Sequence, residues 1–134
     1  MKVGDSTASS SYMMDNVKLP AGAKLTNTAE VNLNSGHISV ASGATMSAID
    51  AHFTSGRANI GGAIQGNGAN IVLSGCSISE CVAETNYGGA IGGSGCSVDL
   101  TSCTISGNSG QIMGEDIYLN PGSELKINGG CVLD

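Results

Sequence analysis

The sequence predicts an all-β protein, a parallel β-helix of about five coils of 21–27 residues, and three observations favour this fold class. Similar segments recur at a constant interval, since GGAIQGNGANIVLSGCSIS (61–79) is followed 27 residues later by GGAIGGSGCSVDLTSCTIS (88–106). Apolar and polar residues alternate over short stretches, which is typical of strands with one buried face. Glycines and the Asn-Pro-Gly at 120–122 supply turns between these stretches.

The repeats predict two regions along the chain. Residues 1–15 are polar, rich in serine and outside the period, so we expect either a disordered leader or an N-terminal cap. Residues 16–134 carry the β-helix repeats. Three of their units read VKLPAGAKLTNT, ISVASGATMSAI and IYLNPGSELKIN, each with an apolar-x-apolar pair, a glycine and a further apolar residue.

Equivalent apolar positions predict the inward ladders of the β-helix. In such a fold each coil lies about 4.8 Å above the preceding one, so like residues become vertical neighbours. A β-sandwich also has frequent turns, but it does not require the same residues to recur in register. The predicted ladders are Ile38–Ile64–Ile91–Ile117 with Val17 before them, Ile71–Val98–Leu125, Leu73–Leu100–Ile127, Ile78–Ile105–Val132 and Cys76–Cys103.

Five cysteines form an odd set without a CxxC pair. Cys76 and Cys103 share a ladder, where we expect buried thiols, because stacked parallel side chains do not automatically reach the disulfide torsion. Cys81 and Cys96 fall in turns, and their exposure is left open. Cys131 is one residue out of frame, so alternation predicts that it points outward.

The composition excludes several classes of partner. The net charge is −6, and the five basic residues are scattered singly, which argues against binding to nucleic acid or to an anionic membrane. No apolar stretch approaches the roughly 20 residues that span a bilayer. We expect no metal and no cofactor, because His37 and His52 are remote from the cysteines and the glycine motifs lack both the aspartate of calcium-binding β-rolls and a following helix.

Several polar residues were considered for catalysis, because two carboxyl groups about 5–9.5 Å apart can hydrolyse a glycosidic bond. For each of them a structural role is favoured over a catalytic one. Asp99 and Lys126 are 27 residues apart and should form a cross-strand ion pair. His37 is expected in a surface turn. Alternation should send adjacent Glu115 and Asp116 to opposite faces unless they lie in a turn. The remaining outward candidates are Asp50, His52, Arg57 and Glu124.

The segments GGAIQGNG, GGAIGGSG, SCTISGNSG and GEDIYLNPGSELKINGG resemble the right-handed β-helix repeats of large bacterial surface adhesins. Similar repeats are the GGA-I units of chlamydial polymorphic outer-membrane proteins and those of giant cell-wall proteins of gut Firmicutes. The resemblance covers about residues 36–134. The FxxN motif of the chlamydial proteins is replaced here by Cys103–Asn108. The resemblance implies a right-handed coil and a location at the cell surface.

Three functions remain in competition at this stage. The leading hypothesis is a non-enzymatic, extracellular segment of an adhesin or scaffold that binds or presents through its outward faces, with a host surface protein or a glycan as partner. The second is a filament subunit, in which the last coil stacks on the first coil of another copy or on further repeats of a parent chain. The third is a fragment of a polysaccharide-active β-helix enzyme.

Overall fold

A computed structural model gives the structure of this chain. It describes residues 37–40, 42–112 and 114–134, together with the backbone of five strands between residues 5 and 32. These residues contain short strands and no helix. The strands are Asp5–Ala8 (β1), Tyr12–Met13 (β2), Val17–Leu19 (β3), Lys24–Asn27 (β4), Glu30–Asn32 (β5), Ile38–Val40 (β6), Thr45–Ile49 (β7), His52–Thr54 (β8), Arg57–Ala58 (β9), Ile64–Asn67 (β10), Asn70–Ser74 (β11), Ser77–Ser79 (β12), Val82–Ala83 (β13), Ile91–Ser94 (β14), Ser97–Thr101 (β15), Thr104–Ser106 (β16), Ser109–Gly110 (β17), Ile117–Leu119 (β18), Glu124–Asn128 (β19) and Val132–Leu133 (β20).

The strands stack as a parallel β-solenoid, as predicted. Each repeat unit, called a coil below, contributes one strand to each of several parallel sheets, so that strands distant in sequence become hydrogen-bonded neighbours. The hand of the solenoid and the number of coils remain predictions. The sheets are β3–β6–β10–β14–β18, β7–β11–β15–β19 (the broad sheet), β2–β5–β8–β12–β16–β20, β9–β13–β17 and the pair β1–β4.

The strand register places most of the predicted ladder residues side by side. Ile64 pairs with Ile38 on one side and with Ile91 on the other, and Ile91 pairs in turn with Ile117. Val17 precedes Ile38 in the same column. The other columns in register are Ile71–Val98–Leu125, Leu73–Leu100–Ile127 and Ile78–Ile105.

These columns fill a narrow apolar core between the sheets. Ile64, Ile71, Ile91 and Val98 are all fully buried. On β11 and β15 the residues that alternate with the buried ones face outward. Phe53 is the largest buried side chain and lies below Ile78 in its column. The core is therefore built mostly from aliphatic side chains that repeat from coil to coil.

The last coil departs from the predicted ladder by one residue. Ile105 pairs with Leu133, and Val132 pairs with the outward Thr104, so the prediction of Val132 above Ile105 is wrong. The physical reason is the corner before β20, where Gly129 and Gly130 both have positive φ, at 65° and 77°, and the turn takes one more residue. The shift also moves Cys131 into line with Cys103.

Two strands lie within the first fifteen residues, the segment predicted to be a leader or a cap. Asp5 pairs with Lys24 and Tyr12 pairs with Val31, each across 19 positions. The rest of residues 1–15 lies outside the described residues, and the boundary at residue 15 stays a prediction.

Each corner of the coil requires a residue in the left-handed region of backbone space. At one corner Asp50, Gly75 and Ser102 follow one another in successive coils with φ of 51°, 63° and 52°. Residues other than glycine are strained in this region. The recurrence of positive φ at Asp50 and Ser102 therefore shows that stacking imposes the corner geometry. The corresponding residues at the other corners are Gly43, Gly68, Gly95 and Gly122; Ser55, Glu80 and Gly107; and Gly61, Gly88 and Gly114.

The repeated glycine pair marks the closest approach between coils. A Cβ on Gly62 would collide with the carbonyl oxygen of Gly89, and one on Gly89 would collide with the carbonyl oxygen of Glu115. Gly62 also donates its backbone N–H to the carbonyl of Gly88 at 3.1 Å. The second glycine of each pair is therefore required by the backbone of the next coil, and the first by its positive φ.

Replacing Gly89 by alanine should lower the free energy of unfolding by about 3 kcal/mol, because the colliding atoms belong to the backbone and cannot rotate away. Gly107→Ala is the matched control. Its φ is 66° but nothing lies within 4 Å of the added Cβ, so only the cost of the left-handed backbone remains, about 1 kcal/mol. Urea unfolding followed by circular dichroism measures both. Equal losses in the two variants would contradict the close approach.

Candidate functional site

The broad sheet presents the largest regular outward surface of the described chain. Its four strands β7, β11, β15 and β19 are five residues long each, and their outward positions align in columns across the coils. We call this surface the broad face. It contains Thr45, Ser47, Ile49, Asn70, Val72, Ser74, Ser97, Asp99, Thr101, Glu124, Lys126 and Asn128.

Two exposed aliphatic side chains stand out on the broad face among these short polar ones. Ile49 is 46% exposed and Val72 is 39% exposed. The register pairs Ile49 with Ser74 and Val72 with Ser47, so the two aliphatic residues are diagonal neighbours framed by hydroxyl groups. Such a surface offers apolar contact and hydrogen bonds together. Sequence reasoning missed it, although both residues break the outward polar pattern.

An aromatic pair is a second surface feature that the sequence did not predict. The rings of Tyr87 and Tyr118 stack with their centroids 4.3 Å apart, and both side chains are half-buried. Tyr118 lies on β18, whereas Tyr87 lies one coil earlier, between β13 and β14. The residues are 31 positions apart, so no ladder interval connects them.

Each of the five cysteines occupies the position immediately after a corner residue with positive φ. The preceding residues are Gly75, Glu80, Gly95, Ser102 and Gly130. Cys76, Cys81, Cys96 and Cys103 are buried, and Cys131 is half-buried. The open question on Cys81 and Cys96 is thus answered, because both side chains are buried. The expectation that Cys131 points outward is wrong, since its side chain packs against the core.

Side chains at these inner corner positions cap backbone N–H groups of the preceding coil. Cys81 donates its N–H to Asn108 Oδ1 at 3.0 Å, and Cys96 donates its N–H to Ser123 Oγ at 3.1 Å. Sulfur acts in the same way, because Gly56 N–H donates to Cys81 Sγ and Cys103 N–H donates to Cys131 Sγ, both at 3.3 Å. Cysteine, serine and asparagine at these positions thus combine a small side chain with an acceptor atom.

All five thiols are free in this structure. Burial raises the pKa of Cys81 to about 11. In the next column, a hydrogen bond with Cys103 raises the pKa of Cys76, and the same contact lowers the pKa of Cys103 to about 6.

Asp116 belongs to a buried polar cluster directly before β18, the first strand of the last coil. Asn108 donates to Asp116 Oδ1 at 2.9 Å and to the carbonyl of Ile78 at 3.1 Å, and Asp134 N–H donates to Asp116 Oδ2 at 3.0 Å. Burial of the carboxyl group raises its pKa, and these hydrogen bonds oppose the shift. Glu115 next to it is exposed, and both residues lie in the bend before β18, so strand alternation does not apply to them.

Two of the other polar candidates, His52 and Arg57, contact side chains of the neighbouring coil. His52 hydrogen-bonds to Ser77 through Nδ1, and Arg57 forms an ion pair with Glu84 at 2.7 Å. Asp50 sits at a corner. His37 is half-buried, not fully exposed as a surface turn would be, and burial lowers its pKa.

Asp99 and Lys126 are register neighbours, but the expected ion pair between them is not formed. Lys126 Nζ lies 3.6 Å from Glu124 on its own strand, and Asp99 Oδ1 accepts a hydrogen bond from Asn128 at 3.4 Å. Side-chain partners on this solvated surface are weak and interchangeable, worth at most about 1 kcal/mol each.

Two of the carboxylates that are candidates for catalysis, Asp50 and Asp99, are too far apart to act together. Asp50 is separated from Asp99 by two coils and three residues along the strand, which corresponds to about 14 Å, beyond the roughly 9.5 Å of a glycosidase pair. Asp116 is engaged in its own cluster. In the described part of the chain no group of three or more His, Cys, Asp or Glu side chains could hold a metal ion.

The ladder residues of β18, β19 and β20, the last strands that the structure describes, are exposed or half-buried. We call this surface the end face. Leu125, Ile127 and Leu133 are 41%, 46% and 42% exposed. One coil earlier in the same columns, the side chains are fully buried at Val98, Leu100 and Ile105. A cavity of about 570 Å³ opens here between Ile117, Leu119, Leu125 and Leu133.

The stacked parallel sheets and the ladder core define this chain as a β-solenoid repeat protein. Comparison with known proteins gave no matching family model, no matching curated protein and no matching solved structure. Membership of a particular adhesin family therefore remains a proposal. No helix in the part of the chain that the structure describes is long and apolar enough to cross a membrane.

The Asp116→Asn variant should change the dependence of stability on pH. The pKa of Asp116 is higher in the folded chain than its ordinary value of 3.8, so the folded state binds the proton more tightly than the unfolded state does. The wild type should consequently lose stability relative to Asp116→Asn as the pH rises from 3.8 through the folded pKa.

Urea unfolding at a series of pH values tests this expectation, with the exposed neighbour variant Glu115→Gln as control. The control should follow the wild-type profile. A wild type that gains stability relative to Asp116→Asn over the same interval would show that the hydrogen bonds outweigh burial at this carboxyl group.

Proposed function

We propose that this chain is a non-enzymatic segment of an extracellular surface adhesin or scaffold and that it makes contact through its outward faces. The observation that carries the proposal is the broad face, where Ile49 and Val72 are exposed within a regular frame of serine, threonine and asparagine. The resemblance of the GGAI repeats to those of bacterial surface proteins points in the same direction.

The dimensions of the broad face imply weak binding by a single segment. Five residues along each strand and four strands across cover about 300 Å², whereas a stable protein–protein interface buries about 800 Å² on each partner. Strong attachment would then require many such segments in one array, because linked sites raise the effective concentration of the second contact. A repeat architecture supplies this multiplicity, which is why we favour a scaffold or adhesin over a single-site receptor.

Binding should be lost when a charge is placed in the centre of the broad face. The chain, as a monomer and as a tetramer on streptavidin, is applied to surfaces coated with mucin, collagen and mixed neutral and acidic polysaccharides. We expect the tetramer to bind at least about tenfold more tightly than the monomer on at least one surface. Val72→Lys should weaken this binding about fivefold or more, because it removes apolar contact and adds a solvated charge.

Ser79→Lys is the matched control, since Ser79 faces outward from β12 in a different sheet. It should bind like the wild type. Absence of binding on every surface, or an equal loss in both variants, would contradict contact through the broad face. Release of new reducing ends from the polysaccharides would contradict the non-enzymatic part of the proposal and favour the enzyme fragment.

A filament subunit is the second candidate, and the end face favours it. The free edges of β18, β19 and β20 can accept further parallel strands, and the exposed Leu125, Ile127 and Leu133 continue the inner ladders. Covering them is worth about 1 kcal/mol per side chain, which by itself does not offset an association cost of at least 4 kcal/mol. The backbone hydrogen bonds of the new strand pairs must supply the rest, so we expect association only at high concentration.

Static light scattering between about 10 µM and 1 mM tests this head-to-tail stacking. The mean mass should rise with concentration and stay open-ended, because a head-to-tail contact does not close. Ile127→Lys should abolish the rise, since it places a charge in the centre of the end face, whereas Val72→Lys on the broad face should not. A constant monomer mass throughout would exclude the filament.

A further inference from the structure

Three cysteines from successive coils stand in one corner column of the solenoid. Cys76 directly precedes β12, Cys103 precedes β16 and Cys131 precedes β20, and these strands pair in order. Cys103 N–H donates to Cys131 Sγ at 3.3 Å, and Val132 N–H donates to the carbonyl of Cys103 at 2.8 Å. Adjacent coils are about 4.8 Å apart, which lies within the 4.4–6.8 Å range of Cα separations in disulfides.

The pair Cys103–Cys131 differs from the pair Cys76–Cys103 in solvent access and in the orientation of its side chains. Cys76 and Cys103 are both 1% exposed, whereas Cys131 is half-buried. The Sγ atom of Cys131 lies over the backbone nitrogen of Cys103, so its side chain does not simply stack parallel to that of Cys103. The Cys131 thiol donates a hydrogen bond to the carbonyl of Asn128 at 3.2 Å. Reagents from solvent therefore reach Cys131 first, and Cys103 is the nearest second sulfur.

We propose that Cys131 and Cys103 form a reversible thiol–disulfide site whose co-substrate is a low-molecular-weight disulfide. The Cys131 thiol loses its proton to solvent, and its sulfur attacks one sulfur of the small disulfide, releasing one small thiol and leaving a mixed disulfide on Cys131. The sulfur of Cys103, as thiolate, then attacks Cys131 Sγ and releases the second small thiol. Two protein thiols are oxidised, and one small disulfide is reduced to two thiols.

The second step needs no solvent access to Cys103, because both reacting sulfurs belong to the protein. The lowered pKa of Cys103, caused first by its hydrogen bond with Cys76, increases the thiolate fraction at neutral pH. The bond would join β20 to β16 across 28 positions and tie the end face to the coil before it. We expect the oxidised chain to melt about 5 °C higher than the reduced chain.

Mapping of the bond tests the proposal on the full folded chain. The chain is equilibrated with oxidised and reduced glutathione in several ratios, free thiols are blocked with iodoacetamide, and the protein is cut before aspartate. Cleavage before Asp50, Asp99, Asp116 and Asp134 gives fragments 50–98, 99–115 and 116–133, which separate Cys103 from Cys131 and both from the other three cysteines. The expected product is 99–115 linked to 116–133, and dithiothreitol should reverse it.

Cys131→Ser should abolish both the linked product and the rise in melting temperature. Cys81→Ser is the control, because Cys81 lies in a different corner column, and it should form the bond like the wild type. Circular dichroism verifies that each variant is folded. Fragment 50–98 linked to 99–115, a stable glutathione adduct on Cys131 or fully reduced thiols in excess oxidised glutathione would each overturn the proposal.

Discussion

The hydrogen-bonded contact of each coil with the next is the constraint on which the rest of this structure depends. Parallel pairing at about 4.8 Å leaves no room for a side chain where backbones meet, so Gly62 and Gly89 recur there. The same spacing forces the chain to turn at fixed positions, and the turn requires a left-handed residue even where that residue is Asp50, Glu80 or Ser102. Local strain at the corners is thus compensated by the pairing of whole strands.

The corners also explain why the chain contains five cysteines. At several corners the residue after the left-handed position points into a narrow interior, where a small side chain fits and an acceptor atom can bond a backbone N–H of the preceding coil. Cysteine, serine and asparagine meet both conditions, as Cys131, Ser123 and Asn108 illustrate in three columns. The alignment that caps the backbone also brings three sulfurs into one column. A packing requirement thus places together groups that can react with one another.

Outward positions experience a different constraint, because solvent and not the next coil decides what they contact. Side chains on the broad face are not packed against another coil, and Ile49 and Val72 are exposed there. The end face is the counterpart of the core, since Leu125 and Ile127 occupy ladder columns but have no coil above them in the structure. The proposed contacts of this chain accordingly involve its outward face and its end face.

The sequence by itself determined the class of fold, the interval of about 27 residues and most of the inner ladder, because stacking makes inward positions such as Ile64 and Ile91 repeat in both chemistry and spacing. Only the tertiary structure decided the register of the last coil, where the two glycines at 129 and 130 add a residue and bring Leu133, not Val132, beside Ile105. It also decided the burial of Cys81 and Cys96 and the partner of Lys126. These features depend on backbone torsions at corners and on mobile surface side chains, and neither leaves a periodic pattern in the sequence.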